Sequence, residues 1–144
     1  MRTPMSRGQA IAEMAMIAPL MILLLIGLVE VGRFADMSIM VSNAARAGVQ
    51  YGAQNLVTAA DTTGMQNAAT ADAQNLAGIT ATASSFCKCA DGTNSTCQPT
   101  DCSTNHRLTY VTVTTTGTFN SMIHFAKVQP SITIGSSATM RVAQ

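Results

Sequence analysis

A chain of 144 residues has room for one domain, or for one domain and an anchor. Eight Lys and Arg against seven Asp and Glu leave a formal charge of +1, so the basic surplus of an electrostatic nucleic-acid binder is missing. Charged residues make up 10 % of the chain and aromatic ones 4 %, with no Trp, which argues against charge-driven disorder and against an aromatic-rich core.

The chain begins MRTPMSRG, with Arg2 and Arg7 and no acid. From Met14 to Val29 there are sixteen residues without a charge, inside a longer apolar run, Ile11 to Gly32, broken only by Glu13 and Glu30. As a helix that run measures about 33 Å, enough to cross a hydrocarbon core. A buried core helix is the competing reading, but no other segment could cover so apolar a rod. Positive flanks stay in the cytoplasm, which predicts an N-inside, C-outside chain. The exit Leu28-Val29-Glu30-Val31-Gly32-Arg33 is a poor signal-peptidase site, so a retained anchor is the better reading.

Glu13 stands near the start of this helix. A carboxylate costs roughly 2.5–3.5 kcal/mol at mid-membrane, less near the edge, and usually has a partner there. Gly8 lies five residues upstream. Scission after Gly8 would create an ammonium on Gln9, four residues from Glu13 and on the same helix face. That ammonium could meet Glu13 of its own chain or of a neighbouring subunit.

Beyond Gly32 the residues Phe34, Met37, Val41, Ala44, Gly48 and Tyr51 recur at spacings of three and four, one stripe of a continuing helix. Asp36, Ser42, Asn43, Arg46 and Gln50 fall on the other side. The stripe is expected to pack on the soluble head, with subunit contact as the alternative. The whole helix is predicted to span Gln9 to Leu56, about 72 Å, with a kink near Pro19. Thr58 to Gly64 reads as a turn. Met65 to Ala77 reads as a second, shorter helix, capped by Asp61 or Thr63 and stopped at Gly78.

Cys87, Cys89, Cys97 and Cys102 cluster in FCKCADGTNSTCQPTDC, read as a loop over residues 86–103. The leading C-x-C is too tight for the usual zinc pairing, and the predicted orientation puts the loop in an oxidising compartment, so two disulfides are expected. Cys87–Cys89 is disfavoured. Cys87–Cys97 with Cys89–Cys102 and Cys87–Cys102 with Cys89–Cys97 both remain open. Leu108 to Thr116 is β-branched and reads as a strand ending at Gly117. Ser131 to Val142 alternates apolar and polar residues, as one strand with a bulge at Gly135 or as two short ones. The fold class is therefore α+β: a long N-terminal transmembrane helix, a second helix, and a small antiparallel sheet head with a disulfide-stapled loop.

His106 and His124 stand outside any motif with a nucleophile and an acid, and Lys88 and Lys127 stand alone. No phosphate loop or metal motif occurs, and Asn94-Ser95-Thr96 is a sequon of little weight. Neither catalysis nor a cofactor, nucleic acid or small-molecule substrate is expected.

A basic leader, a Gly, four residues, a Glu and a long apolar helix resemble a type IV prepilin. RGQAIAEMAMIAPLMILLLIGLVEVGRF with SNAARAGVQYG resembles, more narrowly, the TadE-like pseudopilins of tight-adherence (Tad) pilus systems. The shared features are Arg7 and Gly8 before Glu13, Pro19, the exit Glu30-x-Gly32-Arg33 and the segment Asn43 to Gly48. Ser131 to Val142 is similar to the family's closing strand. Met14 departs from the family, which usually has Phe or Tyr there. The resemblance implies removal of residues 1–8 by a prepilin peptidase cutting between Gly8 and Gln9. It implies a transmembrane half-helix over 9–32 and a periplasmic or extracellular head over 33–144. The implied partners are other pilins and pseudopilins, the Tad assembly platform and inner-membrane lipid. The implied role is a minor pilin, with a major filament subunit, or an anchored disulfide or metal module that never assembles, as alternatives.

Overall fold

A computed structural model describes residues 5–102, 106–122 and 131–143, with side chains from residue 8. The apolar run and the stripe after it form one helix, α1 (Met5–Gly52), with Pro19 inside it. Helices α2 (Leu56–Ala60) and α3 (Thr62–Asp72) follow, then strands β1 (Thr80–Cys89), β2 (Asn94–Ser95), β3 (Arg107–Asn120) and β4 (Ser131–Arg141). The strands form one antiparallel sheet in the order β2-β1-β3-β4. The chain divides into two units, Met1–Ala35 and Asp36–Gln144.

Two caps explain where the expected turn and second helix go instead. The Asn55 side chain accepts from the backbone N–H groups of Val57 and Thr58, while Thr58 Oγ1 accepts from Asn55 N–H, a reciprocal capping box that starts α2. Asp61 accepts from Gly64 N–H at 2.8 Å and starts α3. The segment read as a turn, Thr58 to Gly64, is thus mostly helical, and α1 stops at Gly52, short of Leu56. The second helix begins before Met65 and stops at Asp72, where Ala73 turns out of helical geometry. Gly78, with a φ of 74°, turns the chain into β1 rather than ending a helix.

Strand β1 is the largest departure from the sequence reading. Its Ala and Ser residues have weak strand preference, and the long partner β3 supplies the order, pairing from Thr80↔Thr116 to Cys89↔Arg107. Cys87 and Cys89 consequently sit on a strand, not in a loop. Strand β3 runs through Gly117, where the expected end does not occur. A Cβ built there would lie 2.9 Å from Met37 Cε and 3.3 Å from Val41 Cγ2, so the missing side chain lets α1 lie close to the strand. Strand β4 is one strand, and its register against β3 is unbroken from Asn120↔Ser131 to Tyr110↔Arg141, with no bulge at Gly135.

The odd-numbered face of β3 is buried and the helices cover it. Val111 and Val113 pack with Val49 of α1, Ala59 of α2, and Met65 and Ala69 of α3. A second cluster joins Met37 and Val41 to Phe119 and Ile134. The even-numbered face carries the buried Leu108, then Tyr110, Thr112, Thr114 and Thr116, all half-buried, and the exposed Thr118 and Asn120.

Candidate functional site

In the N-terminal unit the large apolar side chains point into open space. Ile11, Met14, Ile17, Leu20, Leu24, Leu28 and Val31 are all more than half exposed, on a helix that is long and apolar enough to cross a membrane. Gly8 and Gln9 lie on this helix and are exposed. Gln9 Nε2 donates to Glu13 Oε1 at 3.4 Å, which places the two on one helix face. At the far end of the apolar run, Arg33 Nη1 meets Glu30 Oε2 at 3.0 Å, one turn apart.

The predicted stripe divides between the two units. Phe34 belongs to the N-terminal unit and is 39 % exposed. Met37, Val41, Ala44 and Gly48 belong to the head and are buried there. At Gly48 a Cβ would lie 2.9 Å from the Met65 carbonyl oxygen and 3.0 Å from Val113 Cγ1, so α1 nests between α3 and the sheet. The buried Thr115 hydroxyl donates to the Val41 carbonyl at 2.7 Å. This clamp ties helix to sheet and has no signature in the sequence. Tyr51, half-buried, donates its hydroxyl to Asp61 Oδ2 at 2.9 Å. That hydrogen bond, with the carboxylate's charge, holds the Tyr51 phenol above its ordinary pKa. The Gly64 N–H and the Tyr51 hydroxyl hold Asp61 below its own.

All four cysteines are paired, Cys87–Cys97 at an S–S distance of 2.00 Å and Cys89–Cys102 at 2.07 Å. This is one of the two pairings the spacing leaves open. Cys87 and Cys89 point to the buried face of β1. The two bridges draw residues 90–102 back onto the strand. Asp101 Oδ2 gathers the hydroxyls of Ser95 and Thr96 at 2.9 and 2.8 Å, and the Thr96 N–H. Those hydroxyls hold the Asp101 carboxyl below the ordinary range. Arg107 donates to the Cys97 carbonyl, and Cys97 has a positive φ of 69°.

His106 is exposed, and Asn94 of the sequon pairs in register with Lys88. His124 and Lys127 lie outside the described residues. Among the described residues, no group of three or more His, Cys, Asp and Glu could hold a metal ion. Lys88 is not solitary: its Nζ lies 6.0 Å over the Phe86 ring, and Phe86 stacks on Tyr110 with centroids 5.4 Å apart. The sequence reading missed this group because its members come from strands twenty-odd residues apart. The alternation of Tyr and Thr along β3 is the signal that could have pointed to it.

Comparison with known proteins matches residues 8–50 to the family model described as TadE-like protein. No curated protein and no solved structure matches the chain. The matched segment holds Gly8, Glu13, the exposed apolar helix, the Glu30–Arg33 pair and the first residues that enter the head. Over residues 8–50, this chain is similar to TadE-like proteins.

Proposed function

We propose that this protein is a pilin-like subunit of a Tad-type pilus, made as a prepilin and used as a minor pilin. A prepilin peptidase removes residues 1–8 by cutting between Gly8 and Gln9. The mature chain sits in the cytoplasmic membrane with its N-terminus inside and its head in the periplasm, and meets other pilins and the assembly platform through α1. Its role is structural and not enzymatic. The observation that carries the reading is one coincidence. The family match falls on the stretch of α1 whose apolar side chains stand exposed, just after Gly8. The face shared by Gln9 and Glu13 supports an internal role for the carboxylate, because an ammonium on Gln9 would lie one turn from it.

The test is intact-mass spectrometry of membrane-extracted protein co-expressed with a prepilin peptidase. The expected species begins at Gln9, and Gly8→Leu leaves the chain uncut. A wild-type chain that retains residues 1–8 in the presence of active peptidase would refute the reading. Abundance separates the roles, since a minor pilin is scarce in purified filaments.

A further inference from the structure

Helices α1, α2 and α3 all pack on one side of the sheet, and the other side carries a distinct chemistry. The cross-strand register aligns rows of hydroxyls over three strands, Ser84-Thr112-Thr139 and Thr82-Thr114-Ser137 among them. Thr112 and Thr139 share a hydrogen bond at 2.7 Å, and Thr114 donates to Ser137 at 3.0 Å. The next row is Phe86-Tyr110-Arg141, with Lys88 beside Phe86. One end of a hydroxyl-lined face is therefore aromatic and cationic. This face of β1, β3 and β4 carries two cations, Lys88 and Arg141, and these strands hold none of the seven acids of the chain, while Arg107 lies on the helix side.

We propose that this face binds an acidic polysaccharide of the polyuronate type. Phe86 is stacked on Tyr110 and lies under Lys88, so the Tyr110 ring, backed by Phe86, is the surface for the apolar face of one sugar ring. Lys88 and Arg141 flank it and meet the carboxylates, the guanidinium offering paired N–H donors. The hydroxyl rows continue the track. Each Ser or Thr hydroxyl both donates and accepts, so a paired row still matches a polyol that does the same. Charge decides the class of glycan, because an acid-free face with cations at one end favours an anionic ligand over a neutral one. A nucleic acid needs more cations than this face has to neutralise its phosphates. A protein partner needs a broad exposed apolar interface centre, and this face offers only the two rings, its one other large apolar residue, Leu108, being buried. This proposal is independent of the pilin reading, and its assay requires no processing or filament.

The experiment is fluorescence anisotropy with the full chain in detergent micelles. The probes are labelled oligogalacturonate, a size-matched neutral glucan and a short DNA duplex, with empty micelles as the blank. Oligogalacturonate is expected to bind about tenfold more tightly than the glucan, and the affinity is expected to fall with added salt. Tyr110→Ala is expected to weaken binding about fivefold to tenfold, and Tyr110→Phe to leave it nearly unchanged. Arg141→Gln, an exposed edge substitution, is expected to weaken binding and flatten the salt dependence. A wild-type circular dichroism spectrum with a cooperative melt certifies that each variant keeps its head folded. Should Tyr110→Ala not fold, Arg141→Gln decides the matter. Oligogalacturonate binding no stronger than the micelle blank would overturn the proposal, as would indifference to Arg141→Gln or a preference for the duplex.

Discussion

Gly48 and Gly117 both allow α1 to approach its neighbours closely, but a methyl group at each would strike different things. At Gly48 the nearest atom is the Met65 carbonyl oxygen, 2.9 Å away, which is backbone and cannot swing aside. At Gly117 it is Met37 Cε, the free end of a flexible side chain. Gly48→Ala would gain up to about 1 kcal/mol of helix propensity, yet overpacking against fixed backbone typically costs about 1–3 kcal/mol. The expected outcome is a lower melting temperature for Gly48→Ala than for Gly117→Ala, measured by circular dichroism in detergent. The reverse order would show that α3 yields more readily than the Met37 side chain. The Tyr51–Asp61 pair adds a pH signature. Asp61 has a lowered pKa in the folded state, so its contribution is present above its unfolded value and is lost as acid titrates the folded carboxyl. Tyr51 has a raised one, so its contribution is present below about 10 and is lost as base titrates the folded phenol. Tyr51→Phe is expected to remove this residue's part of the alkaline decline and to weaken the acid protection of Asp61, read from melts across pH. At this scale the sequence reveals the small residue at Gly48 and the Asp61 cap. The Thr115–Val41 and Tyr51–Asp61 bonds join positions with no shared pattern, and only the folded packing brings them together.

Among the elements, those built from strong local signals are the ones legible in advance. Helix α1 declares itself through its apolar run and its stripe, and β3 through its β-branched residues. The weakly coded segments are not legible. Strand β1 is mostly Ala, Ser and Thr up to Phe86, and a long antiparallel partner holds it as a strand. Helix α3 is legible in part, as the second helix read over Met65 to Ala77, whereas the five-residue α2 rests on the Asn55–Thr58 box, which is too little to locate it in sequence. The disulfides make β1 and the segment after it one element. Removing a bridge typically costs about 2–4 kcal/mol. Mild reduction is therefore expected to expose residues 90–102 to protease, while β3, β4 and α1, which hold the core clusters, stay protected. Limited proteolysis with peptide mass mapping checks this. Simultaneous cutting within β3 would mean that the bridges hold the whole sheet.

At the scale of the molecule, the two units obey different rules of exposure. The head buries Val41, Ala44, Met65, Val111 and Val113 completely, whereas Leu20, Leu24 and Leu28 stay open to the surroundings. Water is a poor surrounding for that many apolar side chains, which is the physical reason that the stretch from Ile11 to Val31 suits a membrane. Leu24→Arg places a charge inside the run at a cost of roughly 2.5–3.5 kcal/mol. The yield in the membrane fraction is expected to fall several-fold, with the disulfides of the chains that remain unaffected. An unchanged yield would contradict a spanning role for that stretch. The pattern of cysteine pairing has a consequence for biogenesis. The bridges interleave, the first cysteine joining the third and the second joining the fourth. An oxidase that links thiols as they emerge can join Cys97 to Cys89 as readily as to Cys87, and so trap the nested isomer. Correct maturation then depends on thiol–disulfide exchange, so a host lacking a disulfide isomerase should accumulate scrambled chains even where oxidising power is ample.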